Sequence, residues 1–345
     1  MRLDTWNISG SGFHFGQHGM DQEETSAYFP SDSLFAALLD ALATFKGSPA
    51  VDSWIDNYCK DPPAFVLTSA FPRAGIVRFF PAPLRRTPGG NLKPKDLKRI
   101  QFVSEVVFRN IIQGKGIEPF VQEQNFIQGK TILVSNEERD QLPASILSNG
   151  GKIWQIEQRP RVTVGRIQQN STLYHTGRVA FAEQCGLWFG IRWVEDSDEL
   201  KSQFKNLLQI VGDSGLGGER SSGFGKAIIK QDKEIDLPDS GGSPWITLSR
   251  YAPRSDETSA LLDARSAYVI QRVGGWLHSP NHPTQRRRLL HMCKEGSVFG
   301  PLQRLVPGRL VDVRPIYEKL TFPHPVYRCG MAVTVGIQFP EEHGG

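Results

Sequence analysis

Residues 215–225 read GLGGERSSGFG, between a helical pattern that halts at Gly212 and a short apolar run, Ala227 to Ile229. The glycines at 215, 217, 218, 223 and 225 free the backbone for φ > 0 and for close approach to a ligand. Successive amides in such a loop form a nest for an anion, phosphate above all. Arg220 and Lys226 add charge, Ser221 and Ser222 add hydroxyls, and Phe224 adds a ring. A nucleotide P-loop is excluded by the spacing. Gly218 and Gly223 stand the right distance apart, but Phe224 occupies the lysine position and Ala227 follows Lys226. The dinucleotide fingerprint fails as well, because this loop leaves a helix and enters a strand. A phosphate cradle outside the nucleotide folds points to a nucleic-acid backbone; the plainer alternative is a long turn.

Upstream, Leu200, Phe204, Leu207, Leu208 and Val211 define one apolar face of a helix over Glu199 to Val211, and Lys226 to Lys230 closes a sheet after the loop. Further upstream, IWQIEQRPRVTVGRI (153–167) alternates, with Arg159, Arg161 and Thr163 on one side and Val162 and Val164 on the other. Arg166 follows Gly165, where a bulge is expected. QQNSTLYHTG then forms a polar tip with Tyr174 and His175, and strands follow through Val179 to Phe181 and Leu187 to Val194. At the N-terminus, Leu3 to Ile8 predicts a strand. A Gly-rich segment with His14 and His18 comes next; these read as solvated or RNA-contacting, with acid–base work as the alternative. A helix is expected after Pro30, capped by Ser31 or Ser33, with Leu34, Phe35, Leu38, Leu39 and Leu42 inward. Its free amides are a second possible phosphate site, or an ordinary helix start. Phe65 to Ala70 and Ile76 to Phe80 read as strands around a turn at Phe71–Arg73. The stretch from Pro81, with Arg85, Arg86, Lys93, Lys95, Lys98 and Arg99, reads as a solvated, partly disordered insertion, with contact to RNA or a partner subunit as the alternative, and 103–128 as connective.

Strand, helix, two strands, helix, strand is the RRM-like ferredoxin pattern with insertions. The expected fold class is therefore α+β with two ferredoxin-like (RRM-like) domains, residues 1–236 and 241–345, separated by the linker DLPDSGGSP. The second domain opens with a strand over Trp245 to Tyr251, a helical segment near Ala260 to Ala264 and a strand over Tyr268 to Val273. It ends on MAVTVGIQF as a half-buried strand and a tail, EEHGG, expected to be disordered. His278, His282, His291 and Cys293 do not have finger spacing, and Pro280 and Pro283 interrupt them, so no metal is expected.

Composition bounds the rest. At 345 residues the chain has room for two cores, and 39% hydrophobic with 22% charged residues describes a globular protein. A net charge of +4, from 40 basic and 36 acidic residues, argues for a local basic groove rather than a coating of nucleic acid. Four scattered cysteines without a CxxC pair read as reduced thiols of a cytoplasmic protein. No signal peptide or membrane span is expected.

Helix, then G-x-G-G-x-R-x-x-G-x-G, then a closing strand resembles the glycine-rich loop of the RAMP superfamily of CRISPR RNA-binding proteins. Pro30-Ser31-Asp32-Ser33-Leu34-Phe35, Gly274-Gly275-Trp276, Gly296-Ser297-Val298-Phe299 and His324-Pro325-Val326-Tyr327-Arg328-Cys329-Gly330 follow in an order similar to that of the Csm subunit capping the crRNA 5′-tag end of type III-A effector complexes. The resemblance implies that the long hairpin is a thumb wedging against RNA bases. It implies that the chain holds the crRNA 5′ tag without being an enzyme, and that it needs no cofactor. Its partners would be the large catalytic subunit and the backbone RAMP subunits, with target RNA met only indirectly. Backbone contacts would fix register, while bases stack on aromatic or guanidinium planes. The residues implicated are Gly215, Gly217, Gly218, Arg220, Ser221, Ser222, Gly223, Phe224, Gly225 and Lys226, with Arg159, Arg161, Arg166, Tyr174, His175, His14, Ser31 and Ser33. Other readings are a metal-independent endoribonuclease using His14 or His18 with Tyr28 or Lys226, an assembly protein that binds no RNA, and the equivalent type III-B subunit. Arg286–Arg288 could meet RNA or protein, or sit in a solvated turn.

Overall fold

A computed structural model describes residues 1–16, 25–85, 93–148, 150–164, 171–279, 282–317 and 320–339. His18, Arg86, Arg166, the expected bulge at Gly165 and the EEHGG tail lie outside them. The first strand, β1 (Arg2–Ser9), buries Leu3, Thr5, Trp6 and Ile8. It is followed by the helices α1 (Ser31–Lys46) and α2 (Ser48–Tyr58). Next come β2 (Phe65–Leu67), β3 (Phe71–Ala74), β4 (Val77–Pro81), α3 (Pro94–Arg99), β5 (Phe102–Ser104) and α4 (Glu105–Ile112). After β6 (Phe126–Ile127), β7 (Ile132–Leu133), α5 (Asn136–Arg139) and α6 (Ala144–Ser148), the chain makes a long hairpin of β8 (Trp154–Val164) and β9 (Ser171–Phe181). β10 (Cys185–Trp193), α7 (Asp198–Ser214), β11 (Ile228–Gln231) and β12 (Ile235–Asp236) complete this half.

Apart from β8 and β9, which pair with each other, these strands form one sheet of order β11-β1-β10-β3-β4-β5-β7-β6, in which β12 also pairs β1 and β2 also pairs β10. The neighbours of β1 therefore come from the far end of this half, in registers such as Asp4↔Ile191 and Ile8↔Ile229. α1 packs through Leu34, Phe35, Leu38 and Leu42, and α7 through Phe204, Leu207, Leu208 and Val211. The fold is α+β, as expected.

Several expectations need correction. Phe71–Ala74 is a strand pairing β10, not a turn, because Pro72 stands opposite Leu187 within the ladder without interrupting it. The 103–128 stretch is not merely connective: α4 buries Val107, Phe108, Ile111 and Ile112 and stacks Phe108 on Phe80, ring centroids 4.6 Å apart. The hairpin tip is shorter than expected, since Ser171–Gly177 already belongs to β9. α7 does not stop at Gly212, where a Cβ would meet the Ala227 carbonyl oxygen at 2.6 Å; this glycine allows close packing, and Gly215 ends the helix. MAVTVGIQF is buried on both faces from Met331 to Ile337, not half-buried.

In the C-terminal half, β13 (Trp245–Thr247) is followed by the short helix α8 (Thr258–Leu262). Then come β14 (Ile270–Val273), β15 (Trp276–Ser279), β16 (His282–Arg286), β17 (Leu290–Cys293) and β18 (Val298–Phe299). Trp245, Tyr251 and Phe299 make a compact aromatic cluster here. The main core nevertheless runs through both halves, because Ile246, Leu248, Val298, Val333 and Val335 pack into the cluster that holds β1 and α1. Hydrogen bonds join the same surfaces. Ser69 N–H donates to the Leu248 carbonyl at 2.9 Å, and Ser249 Oγ donates to the Leu67 carbonyl at 2.6 Å. A buried polar knot lies alongside: Ser69 Oγ and Arg250 Nε donate to Glu295 Oε1 at 2.5 and 3.1 Å, and Tyr28 OH donates to Oε2 at 3.3 Å.

Candidate nucleic-acid interface

The glycine loop connects α7 to β11 and is built on positive φ. Gly215, Gly217, Gly223 and Gly225 lie between +86° and +88°, and Glu219 at +57° leads into a single 3-10 turn, Arg220–Ser222. Most loop amides are consumed inside the protein. Those of Leu216, Gly218 and Gly225 donate to the carbonyls of Gly225, His14 and Gly12, and those of Ser222, Gly223 and Phe224 close the turn on itself. The amides of Gly217, Glu219, Arg220 and Ser221 remain without a partner among the described residues, and the last three, being consecutive, make the cradle.

His14 is the latch beneath this loop. It is 8% exposed, its carbonyl receives the Gly218 amide, and its Nδ1 lies 2.7 Å from the Gly177 carbonyl. A carbonyl only accepts, so Nδ1 carries the proton and donates. The expectation of a solvated histidine is thus overturned: burial between the loop and β9 makes it a structural contact. Tyr28 is half-buried, with its hydroxyl turned into the protein beside Glu295. Burial, then the Glu295 carboxylate, pushes its hydroxyl well above the ordinary tyrosine range.

Ser31 and Ser33 do not cap α1, whose N-cap is Pro30 without a side-chain bond. Ser31 is 3% exposed, donates its amide to Ser69 Oγ at 2.8 Å and accepts the Arg250 amide at 2.9 Å. The helix start is not a free anion site either. The amides of Ser33 and Leu34 turn back to the Pro30 carbonyl, and the buried Asp32 carboxylate sits there, paired with Arg328 Nη1 at 3.2 Å. Burial, the larger effect, lowers the Arg328 pKa despite the favourable charge of Asp32.

The loop has two faces. Its first part, Gly215 to Arg220, borders a groove of about 570 Å³, together with α1 (Ser33, Asp40), β15 (Trp276) and the 324–328 segment. Arg220 spans the opening to Asp40, Nη1 to Oδ2 3.0 Å. Its second part faces the hairpin: Arg161 Nη2 donates to the Ser222 carbonyl at 3.2 Å, and the guanidinium groups of Arg161 and Arg178 lie 5.1 and 6.0 Å from the centre of the Phe224 ring. Arg159 and Arg178 share Glu157, whose carboxyl they hold below its usual range, Arg159 first. Tyr174 stands opposite Arg161 and His175 opposite Pro160, both half-buried. Ser221 and Lys226 are exposed. The residues expected to act together therefore divide between groove and hairpin, with the loop between them.

Sequence reasoning missed the C-terminal contribution to the groove, which includes Trp276, Arg287, His324 and Arg328. The signal was present, since Gly274-Gly275-Trp276 and His324 to Gly330 stood out as motifs without a role. Arg286 stacks on Trp276 at 4.7 Å, while Arg287 and Arg288 bond the carbonyls of Gly274 and Asp312.

Residues 240–337 match the CRISPR Csm4 C-terminal domain. The chain is 24% identical over 332 residues to the CRISPR system Cms protein Csm4 of Thermococcus onnurineus, covering 90% of this chain and 92% of that one. To the Mycobacterium tuberculosis protein of the same name it is 25% identical over 320 residues, with 91% of each covered. In fold it is similar to a chain from the crystal structure of the Csm3–Csm4 subcomplex in the type III-A CRISPR-Cas interference complex, with a TM-score of 0.66 at 18% identity, covering 98% and 100% of the two chains. It is also similar to a chain from the Csm1–Csm4 cassette in complex with pppApA, with a TM-score of 0.56 at 16% identity, covering 99% and 100%. The C-terminal part of the chain therefore carries a CRISPR Csm4 C-terminal domain, and over about nine-tenths of its length the chain is similar to Csm4 proteins.

No helix among the described residues is long and apolar enough to cross a membrane.

Proposed function

We propose that this protein is a non-catalytic, cytoplasmic RNA-binding subunit of a type III-A interference complex, and that it holds the 5′ tag of a crRNA. One observation carries the reading. Four segments far apart in sequence, around residues 33, 217, 276 and 326, meet in a single groove bordered by a glycine loop with open amides. We read the sheet order β11-β1-β10-β3, with α1 and α7 as its crossovers, as a ferredoxin-like domain, and the β8–β9 hairpin as its thumb. The loop's 219–221 amides and Arg220 take backbone phosphates, which fixes register without reading sequence. Arg161 and Phe224 lock the thumb against the far side of the loop. The Csm4 chains of the similar structures occur with Csm3 and with Csm1, and the same two kinds of partner are proposed here. His14, buried and bonded to a carbonyl, is a poor general base, which supports a binding role.

Filter binding over a salt series tests the proposal. Gly223 is the position to change, since a Cβ there meets nothing within 4 Å while φ stands at +87°. Gly223→Val strains the turn by about 1–2 kcal/mol and leaves the core intact. We expect normal circular dichroism with tag-RNA retention lost. Gly217→Val is not a clean substitute, because its Cβ would strike the His14 carbonyl oxygen at 2.3 Å and break the latch itself. Unchanged affinity in folded Gly223→Val would reduce the loop to a turn.

A further inference from the structure

The groove borders an indole that the fold has no evident need to expose. Trp276 begins β15 and is 49% exposed, whereas Trp188 and Trp245 are buried completely or nearly so. The Arg286 guanidinium sits over the ring at 4.7 Å, which fixes its plane and leaves the residue half open. His324, which also lines the groove, packs edge-on against Phe322 with centroids 4.8 Å apart. The groove is further bordered by Ala36, Ala37 and Ala43 of α1. Elsewhere this helix carries leucine and phenylalanine, and a larger side chain at these positions would fill the space. Its volume of about 570 Å³ suits a small organic ligand, which takes about 300–1,000 Å³, and is too narrow for a duplex.

We propose that Trp276 is the platform on which one unpaired base of the bound RNA stacks. Ala36 and Ala37 keep the space for that base, and the phosphates on either side meet Arg220 and Arg287. The physical case is that every base has a flat π-face, and stacking on an exposed aromatic is strong and tolerant of sequence. A cation held on the indole adds to the attraction for a polar, electron-rich ring. The charges are also suitably arranged: Asp40 and Asp32 already neutralise Arg220 and Arg328, while no acidic partner is seen for Arg287 among the described residues. The inference rests on the RNA-binding reading and assigns the C-terminal half a direct part in it.

The experiment is a double-mutant cycle between protein and RNA. The full chain and its Trp276→Ala, Trp276→Phe and Ala36→Leu variants are titrated with one short single-stranded tag RNA. The same RNA is then used with a single abasic position moved along it. Trp276→Ala is expected to weaken intact RNA roughly five- to a hundredfold. At one abasic position it should cause no further loss, because the base it would have held is already absent. Trp276→Phe should recover most of the affinity, and Ala36→Leu should reproduce the Trp276→Ala pattern by filling the space. Equal loss at every abasic position, or wild-type affinity in Trp276→Ala, would overturn the platform while leaving the RNA-binding reading intact. A loss of partner assembly without a loss of RNA affinity would overturn it too, and assign Trp276 to a protein contact. Failure of the wild-type chain to bind RNA at all would instead remove the reading beneath it.

Discussion

Arg220 is the loop's one arginine, and Asp40 holds it across the mouth of the groove. Both side chains are about half exposed, so the pair stabilises the fold by no more than about 1 kcal/mol. Under the proposed RNA-binding role it matters more as competition, because an incoming phosphate would have to displace a carboxylate. Asp40→Asn is therefore expected to raise RNA affinity severalfold at low ionic strength, with the gain shrinking as salt rises and thermal stability unchanged. Filter binding at two salt concentrations checks this, and an unaltered or weakened affinity would take Arg220 out of the interface. At this scale the sequence was half legible. Composition alone identified glycines that need positive φ. Gly217 and Gly223 look alike in the sequence, yet one lies against the His14 carbonyl and the other against open space. That difference depends on a neighbour some two hundred residues away.

Among the described residues, the β8–β9 hairpin meets the glycine loop through the Arg161–Ser222 hydrogen bond and two guanidinium groups on Phe224. If these orient the hairpin, Arg161→Ala and Phe224→Ala should not be independent. Their coupling in a denaturation double-mutant cycle is expected at about 0.5–1 kcal/mol, and additive effects would mean that the hairpin stands on its own base. The hairpin, α1, α7 and the loop between α7 and β11 were all readable, because each declares itself within a short window of periodic sequence. β3 was not. Phe-Pro-Arg in isolation reads as a turn, and only the register with β10, over a hundred residues on, makes it a strand. α4 was lost for a related reason, since its apolar face is short and becomes evident only against Phe80.

Across the whole molecule, two halves that read as separate share one core, and a buried charge pair of the C-terminal half is bonded by side chains of the N-terminal half. Arg250 and Glu295 are 8% and 2% exposed at the side chain, and Ser69 and Tyr28 of the other half bond the same carboxylate. Removing Glu295 leaves a buried guanidinium without its partner, so Glu295→Ala should cost about 3–5 kcal/mol. Because the core is continuous, the loss should appear as one cooperative transition displaced as a unit. Two calorimetric transitions, only one of them shifted, would show that the halves melt separately.

The position of β1 also has a consequence for how the chain is made. It leaves the ribosome well before its neighbours, which are β10, β11 and β12, and the Met1 nitrogen bonds the Leu237 carbonyl. At about 5–20 residues per second, the strand waits roughly nine to thirty-seven seconds for β10, and roughly eleven to forty-four for β11. Throughout that interval a nascent chain displays an unpaired strand with Leu3, Trp6 and Ile8 uncovered, so the yield of folded protein depends on what shelters it during translation.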